Sequence, residues 1–318
     1  VLLLQKIKDK VFSMKIASVI NYCTNEYRFL KSCVEEALKF SEQVLITVCD
    51  HFFDGSPEDL DALEQTFSEF PNCQFLFYPY ILDKVPKKLL KKIGDNFCCT
   101  FSRAIGFSCA KKDIDYLLFL DTDEIVESDK FKSWLKVFPI SQFDAVRLSN
   151  YWYFRESKYR AKTWEDSVVM VRKKALSRKI LLQEGDRFAC FNHVKGKTKR
   201  HCTGQDNCPF IHHYSWVRTK GEMLKKVTTW GHRKERNWVD LVEEEFSREF
   251  NGIDFIHGYE FEEVDPFVKI DVGKKVQKKS ILTKKNVYRI SERELFTILG
   301  KGFQRFLPLT PPIRKDLI

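Results

Sequence analysis

The chain has 318 residues, enough for one large α/β domain carrying a smaller appendage. Hydrophobic residues make up 43% and aromatic residues 14%, with 28 phenylalanines, so a full core can form and a disordered polymer is excluded. The formal charge of +10 is unevenly placed: Gly273 to Ile318 holds twelve Lys or Arg against three carboxylates, leaving the rest close to neutral. That distribution argues against a nucleic-acid binder, whose charge would cover a folded face.

The ten cysteines are scattered, and Cys23, Cys49 and Cys109 sit in apolar stretches where a small hydrophobe would serve. They read as reduced thiols of a cytoplasmic chain. The apolar start Val1 to Leu4 is interrupted by Gln5, Lys6 and Lys8, long before the roughly 20 residues a membrane span requires. Because Met14 precedes the first convincing strand, residues 1–13 are expected to be an N-terminal extension outside the fold.

In chain order, Lys15 to Tyr22 predicts a buried strand, and Thr24 or Asn25 an N-cap. Phe29, Leu30, Cys33, Val34, Ala37 and Leu38 then recur at helical spacing. A second strand, Val44 to Cys49, ends at Asp50 and a turn-rich loop, before an amphipathic stretch through Leu60, Leu63 and Phe67. Gln74 to Tyr78 predicts a third strand. A helix with Phe101, Ile105 and Cys109 leads to a fourth, Tyr116 to Leu120. Alternation of this kind predicts a mostly parallel sheet with helices on both faces and ligands at the strands' carboxyl edge. Two acidic clusters fall there: Asp50, and Asp121-Thr122-Asp123-Glu124. From Phe143 the pattern changes to aromatic-rich strands at Val146 to Phe154, Ser167 to Val171, Phe188 to Phe191 and Phe210 to Trp216. A charged helical region follows from Lys220 to about Phe250.

The strand before Asp121 delivers two carboxylates one residue apart onto a turn, and period-two alternation lets Asp121 and Asp123 face the same way. Such a pair suits a hard divalent ion, manganese or magnesium, that takes its other ligands from water and diphosphate oxygens. A solvated acidic turn is the alternative.

The run Leu118 to Ile125 resembles the Asp-x-Asp-Glu turn of family 2 type glycosyltransferases of the GT-A fold. Three further segments are similar to that family in the same order: Thr24-Asn25-Glu26, Asp50 with Gly55-Ser56-Pro57-Glu58-Asp59, and Ser102-Arg103-Ala104. The chain departs from the family pattern at the inserted His51-Phe52-Phe53 and at Ala104, where Asn is frequent. The resemblance implies a GT-A (Rossmann-like) α/β fold, with a mixed, mostly parallel central sheet flanked by helices. It implies a glycosyltransferase that moves a sugar from a nucleotide-sugar, a UDP-sugar, to a hydroxyl acceptor. Residue by residue, Asp50 would meet the uracil, Glu26 the nucleoside, and Arg103 the diphosphate. Asp121 and Asp123 would hold the ribose and the metal.

Phe210 to Arg218 is an apolar strand broken by His212 and His213, and it resembles a His-Tyr-Ser-Trp segment of such transferases. His213 is expected to complete the metal shell, with Lys220 and Arg218 near the leaving diphosphate. His201, Cys202, Cys208, His212 and His213 have a zinc-like composition, but their spacing fits no strong zinc pattern. An inverting transfer needs a carboxylate base, for which the candidates are Asp166, Glu165 and Asp186, with Asp166 preferred.

The expected organisation is therefore an extension (1–13), a nucleotide-sugar-binding half (14–140), an acceptor-binding half (141–265) and a basic C-terminal appendage (266–318). The acceptor would be a glycan, a glycoprotein or a lipid-linked glycan, added to once rather than processively. Lys274, Lys275, Lys278, Lys279, Lys284 and Lys285, with an amphipathic helix expected over Glu294 to Leu307, suggest peripheral membrane contact. The rival readings are a sugar-phosphate nucleotidyltransferase and a non-catalytic module docking through its basic tail. The first of these lacks a Gly-rich phosphate loop, since residues 21 to 30 contain no glycine.

Overall fold

The computed structural model describes residues 14–84, 97–184, 186–271 and 286–300. In its first part β1 (Ile16–Tyr22), α1 (Tyr27–Leu38), β2 (Gln43–Cys49), α2 (Leu60–Glu69), β3 (Gln74–Tyr78), α3 (Phe97–Cys109) and β4 (Tyr116–Asp121) alternate. Next come β5 (Glu124–Val126), α4 (Ser128–Val137), β6 (Ala145–Phe154), β7 (Glu156–Ala161) and β8 (Glu165–Arg172). Two short helices, α5 (Arg178–Leu181) and α6 (Ala189–Asn192), precede β9 (Thr198–Cys202) and β10 (Ile211–Trp216). The chain then forms α7 (Lys220–Thr229), α8 (Trp238–Glu245), β11 (Phe261–Glu263), β12 (Val287–Arg289) and α9 (Glu292–Leu299).

All these strands join one mixed sheet in the order β11-β7-β6-β8-β4-β1-β2-β3-β12, with β9 on β6 and β10 between β5 and β6. The strands β4, β1, β2 and β3 pair in parallel, which brings the turns after β1, β2 and β4 to one edge. On its other side β4 pairs antiparallel with β8, so the two halves share a single sheet. Such a sheet needs both faces covered. Alternation along β4 supplies them: Leu118 and Leu120 join one buried cluster, Leu117 and Phe119 the other. Each such side chain contributes about 1.5–3 kcal/mol by leaving water. The helix α3 lies close against β1 because Gly106 has no side chain, and a Cβ there would meet Val19 Cγ1 at 2.3 Å. A third, aromatic-rich cluster packs Trp152 of β6 and Trp216 of β10 against Met223 and Val227 of α7 and Trp238 and Val242 of α8.

Three sequence expectations need revision or limits. Phe188 to Phe191 is not a strand. It enters the short helix α6, whose Ala189 and Cys190 are buried while Phe188 lies 3.9 Å from the Arg147 guanidinium. The amphipathic C-terminal helix runs from Glu292 to Leu299, with Gly300 beyond it at φ +96°, and residues 301–318 lie outside the described part. The lysines from Lys274 to Lys285 also lie outside it. What is described of this region is built into the body: β12 extends the sheet beside β3, and Leu295 and Phe296 are buried. Among the described residues no helix is long and apolar enough to cross a membrane.

Candidate active site

The turn after β4 is fixed from three directions. Its start is registered on β1, with Asn21 beside Asp121. Its end runs into β5, whose Glu124 pairs with His213 of β10, and the Tyr214 amide donates to the Asp123 carbonyl at 2.8 Å. Below it, fully buried Glu124 receives two hydrogen bonds from the Arg187 guanidinium, one of 2.5 Å, and one each from the Asp121 amide (2.8 Å) and Ser167 Oγ (3.1 Å). The last residue of the acidic turn is thus a structural anchor.

Asp121 and Asp123 are each faced by a different pair of cations. Arg103, 2% exposed on α3, donates Nη2–H to Asp121 Oδ1 at 2.9 Å, and Asn21 donates to the same oxygen at 3.1 Å. Arg187 Nη1 lies 3.8 Å from the other oxygen. Burial alone would raise the Asp121 pKa, but Arg103 and Arg187 bring it below the usual carboxylate range. Asp123, more deeply buried, receives Lys226 Nζ on Oδ2 at 3.3 Å, with Arg218 Nη2 at 3.7 Å. Its acidity is likewise strengthened against burial by Lys226, His213 and Arg218. Glu26 closes this group: it accepts a hydrogen bond from Arg218 and lies 3.7 Å from Lys226.

Asp123 Oδ1 has no hydrogen-bond partner although buried, and His213 Nε2 stands 3.5 Å from it. His213 Nδ1 is also unpartnered. Burial opposes charge on this imidazole, but Asp123 and Glu124 outweigh it and raise its pKa above the ordinary 6.5. A buried carboxylate oxygen without a hydrogen-bond partner beside an imidazole nitrogen is an oxygen and nitrogen donor pair suited in kind to a divalent cation. Among the described residues no group of three or more His, Cys, Asp or Glu is arranged to hold a metal, so substrate oxygens and water would supply the other ligands.

These residues line one end of a cavity of about 510 Å³. Glu26, Arg103, Asp121, Asp123, Arg187, His213 and Lys226 lie on its wall, as do Glu165 and Asp186 among the candidate bases. Asp166 does not. Its carboxylate sits on the opposite face of β8, 2.8 Å from Arg147 Nη2 and 3.0 Å from Arg200 Nε, and is 6% exposed. A carboxylate committed to two guanidinium groups away from the cavity is not placed to take a substrate proton. Glu165 faces the cavity, with Tyr259 Oη 3.4 Å and His257 Nδ1 4.0 Å from its Oε1. Asp186 is half-exposed, 3.7 Å from Arg103 Nη1.

Asp50 closes β2, but its Oδ1 already accepts from the Tyr80 amide and engages His51 Nδ1, both at 2.7 Å, and the neighbouring Cys49 and His51 line the cavity. Lys220 lies outside, 2.5 Å from Glu243 on α8. Glu58, in the loop after β2, accepts from the Thr24 amide at 3.1 Å and from its hydroxyl, which ties that loop to the turn carrying Glu26. Arg187, to which the sequence reading gave no role, reaches both Glu124 and Asp121, and Lys226, one of the lysines expected after the histidine strand to stabilise the leaving diphosphate, reaches Asp123. His212 is occupied elsewhere, bonded to Tyr153 Oη at 2.8 Å and 3.5 Å from Glu127.

Three solved structures share parts of this architecture at low similarity. Glucosyl-3-phosphoglycerate synthase from Mycobacterium tuberculosis, in complex with Mn²⁺, UDP and phosphoglyceric acid, is 10% identical over 83% of this chain and 90% of its own, with a TM-score of 0.40. The glycosyltransferase GlyE of Streptococcus pneumoniae TIGR4 is 13% identical, with a TM-score of 0.37 over 74% of this chain and 64% of its own. The 4-diphosphocytidyl-2C-methyl-D-erythritol synthase of Anaerococcus prevotii DSM 20548 is 10% identical, with a TM-score of 0.35 over 62% of this chain and 92% of its own. No family model matches the chain, and no curated protein matches it in sequence.

Proposed function

We propose that the chain is a glycosyltransferase of the GT-A type that moves a sugar from a UDP-sugar to a hydroxyl acceptor, by single additions and with inversion. The observation that carries this reading is the orphaned Asp123 Oδ1 facing His213 in a cavity lined also by Arg103, Arg187 and Lys226, with Arg218 buried behind Asp123. A donor diphosphate brings negative charge to that end, and the preset cations are suited to the charge that develops on it as the sugar leaves. Asp123 and His213 would hold manganese or magnesium, which when bound adds Lewis-acid stabilisation of the diphosphate.

The chain's own groups have definable tasks. Arg187, through Glu124 and the Asp121 amide, keeps the acidic turn in place. Arg103 orients Asp121, which is left half-exposed toward the ribose position. Glu165 is the proposed base. The acceptor oxygen bonds to the anomeric carbon, the bond from that carbon to the phosphate oxygen breaks with its electron pair going to the diphosphate, and the acceptor proton passes to Glu165.

A sugar-phosphate nucleotidyltransferase would use the same sheet edge but release pyrophosphate. Incubating the protein with a panel of UDP-sugars, with and without added pyrophosphate, and separating the products distinguishes the two: the reading expects UDP without pyrophosphate, and UTP with sugar 1-phosphate formed only when pyrophosphate is added, or an unchanged donor under every condition, removes it.

A further inference from the structure

The cations and the carboxylates Asp121, Asp123 and Glu26 gather at one end of the cavity, while its other end is aromatic. There Trp152 links the two regions: its ring meets His213 edge-on at 4.8 Å between centroids and His257 at 5.1 Å. Trp230 stands on the same lining, with its ring against Trp216, Trp238 and His232 at 5.0–5.4 Å. The buried indole N–H groups of Trp152 and Trp230 have no acceptor in the structure, and an orphaned donor costs about 1–3 kcal/mol that an occupant bringing an oxygen could recover after a small ring rotation.

The charge at this end disfavours one class of occupant. Arg236 donates to the Ile256 carbonyl at 3.1 Å with its guanidinium over the Trp238 ring, and His232 is 2.5 Å from Glu235. Arg236 keeps its charge, but Glu165 and Glu235 line this end as well, two carboxylates against one guanidinium, while Lys226, 5.9 Å from the Trp230 ring, is committed to Asp123; the balance of formal charge disfavours anions. Flat rings with unmatched N–H donors suit a ligand that has an apolar ring face and hydroxyls around its rim.

We propose that this aromatic end is the acceptor subsite and that it takes a neutral pyranoside, stacked against Trp152 and Trp230 with one hydroxyl toward Glu165, rather than a phosphorylated or carboxylated acceptor. This rests on the glycosyltransferase reading, and the test keeps the two apart. The full chain, labelled with ¹⁵N at the tryptophan indoles and assigned by single Trp→Phe substitutions, is titrated with methyl glycosides of glucose, galactose, mannose and N-acetylglucosamine. Glucose 6-phosphate, glucuronate and phenol are run in parallel, and UDP with MgCl₂ is titrated separately. At least one methyl glycoside should shift the Trp152 and Trp230 indole signals saturably, leave Trp134 and Trp164 outside the cavity unmoved, and bind at least tenfold more tightly than either anion or phenol. Trp152→Phe and Trp230→Phe should each weaken that glycoside about three- to tenfold, the range for one lost hydrogen bond. Equal or tighter binding of an anion or phenol overturns the proposal, as does silence of Trp152 and Trp230 toward every glycoside while UDP binds. Absence of UDP binding instead removes the parent reading. The wild-type titration needs no substitution, so a variant that fails to fold leaves the result readable.

Discussion

Replacing Arg187 with Met is the sharpest test of how the acidic turn is held. Glu124 is completely inaccessible to solvent, and the guanidinium makes two hydrogen bonds to it while lying 3.8 Å from Asp121. Removing one partner of a buried pair strands the other, which costs about 3–5 kcal/mol. Unfolding entropy of about 2.1 cal/mol/K per residue over 318 residues is roughly 0.7 kcal/mol/K, so the melting temperature should fall by about 4–7 °C. Because the Asp121 amide is bonded to the same carboxylate, nucleotide affinity should fall as well. Calorimetry and urea unfolding of Arg187→Met, Glu124→Gln and the double variant measure the coupling. The double variant, with no stranded charge on either partner, should be less destabilised than the sum of the single variants by 2 kcal/mol or more. Additive losses, or an Arg187→Met chain as stable as the parent, would refute the reasoning.

Other outcomes follow from single contacts. Glu58 is buried beside Thr24, and burial raises its pKa from 4.5 to about 7. The unfolded chain therefore binds fewer protons than the folded one between those values, and stability falls as pH rises through that window by an amount on the order of 3 kcal/mol. Urea unfolding from pH 5 to 8 should show the decline, and Glu58→Gln should flatten it. Gly106→Ala should cost about 1–3 kcal/mol in spite of its better helix propensity, because the new methyl group has to displace Val19; a more stable variant would contradict the packing argument. Lys226→Ala should weaken UDP binding at least tenfold, and Lys220→Ala, whose ammonium pairs with Glu243, should change it less than twofold. Calorimetric titration of both variants decides, and equal effects would mean that the cavity end has been misread.

The alternation through β4 is legible because each strand is a short apolar run closed by turn residues, and each helix repeats its buried positions at helical spacing. The acidic turn is legible for the same reason, since it ends the most apolar of these strands. Choosing between Glu165 and Asp166 was not possible from the pattern. Val168 to Val171 are buried on both faces of β8, so alternation separates the two carboxylates without saying which face meets the cavity. Arg187 was hidden by its position in an irregular loop between two four-residue helices, where no period marks it. Lys226 did carry a signal: it falls on the buried stripe of α7 with Met223 and Val227, and a lysine on an apolar stripe needs a carboxylate partner. Phe188 and Phe191 were read as strand because aromatic density resembles β propensity, whereas their three-residue spacing puts both rings near Arg147.

Asp123, paired with His213, is proposed to make nucleotide binding depend on a divalent ion. Isothermal titration of UDP into the full chain, with manganese, with EDTA and with Asp123→Asn in manganese, addresses it directly. Saturable binding is expected in manganese, with at least a tenfold loss both with EDTA and in Asp123→Asn. Binding of equal strength in all three, or none in manganese, would contradict it.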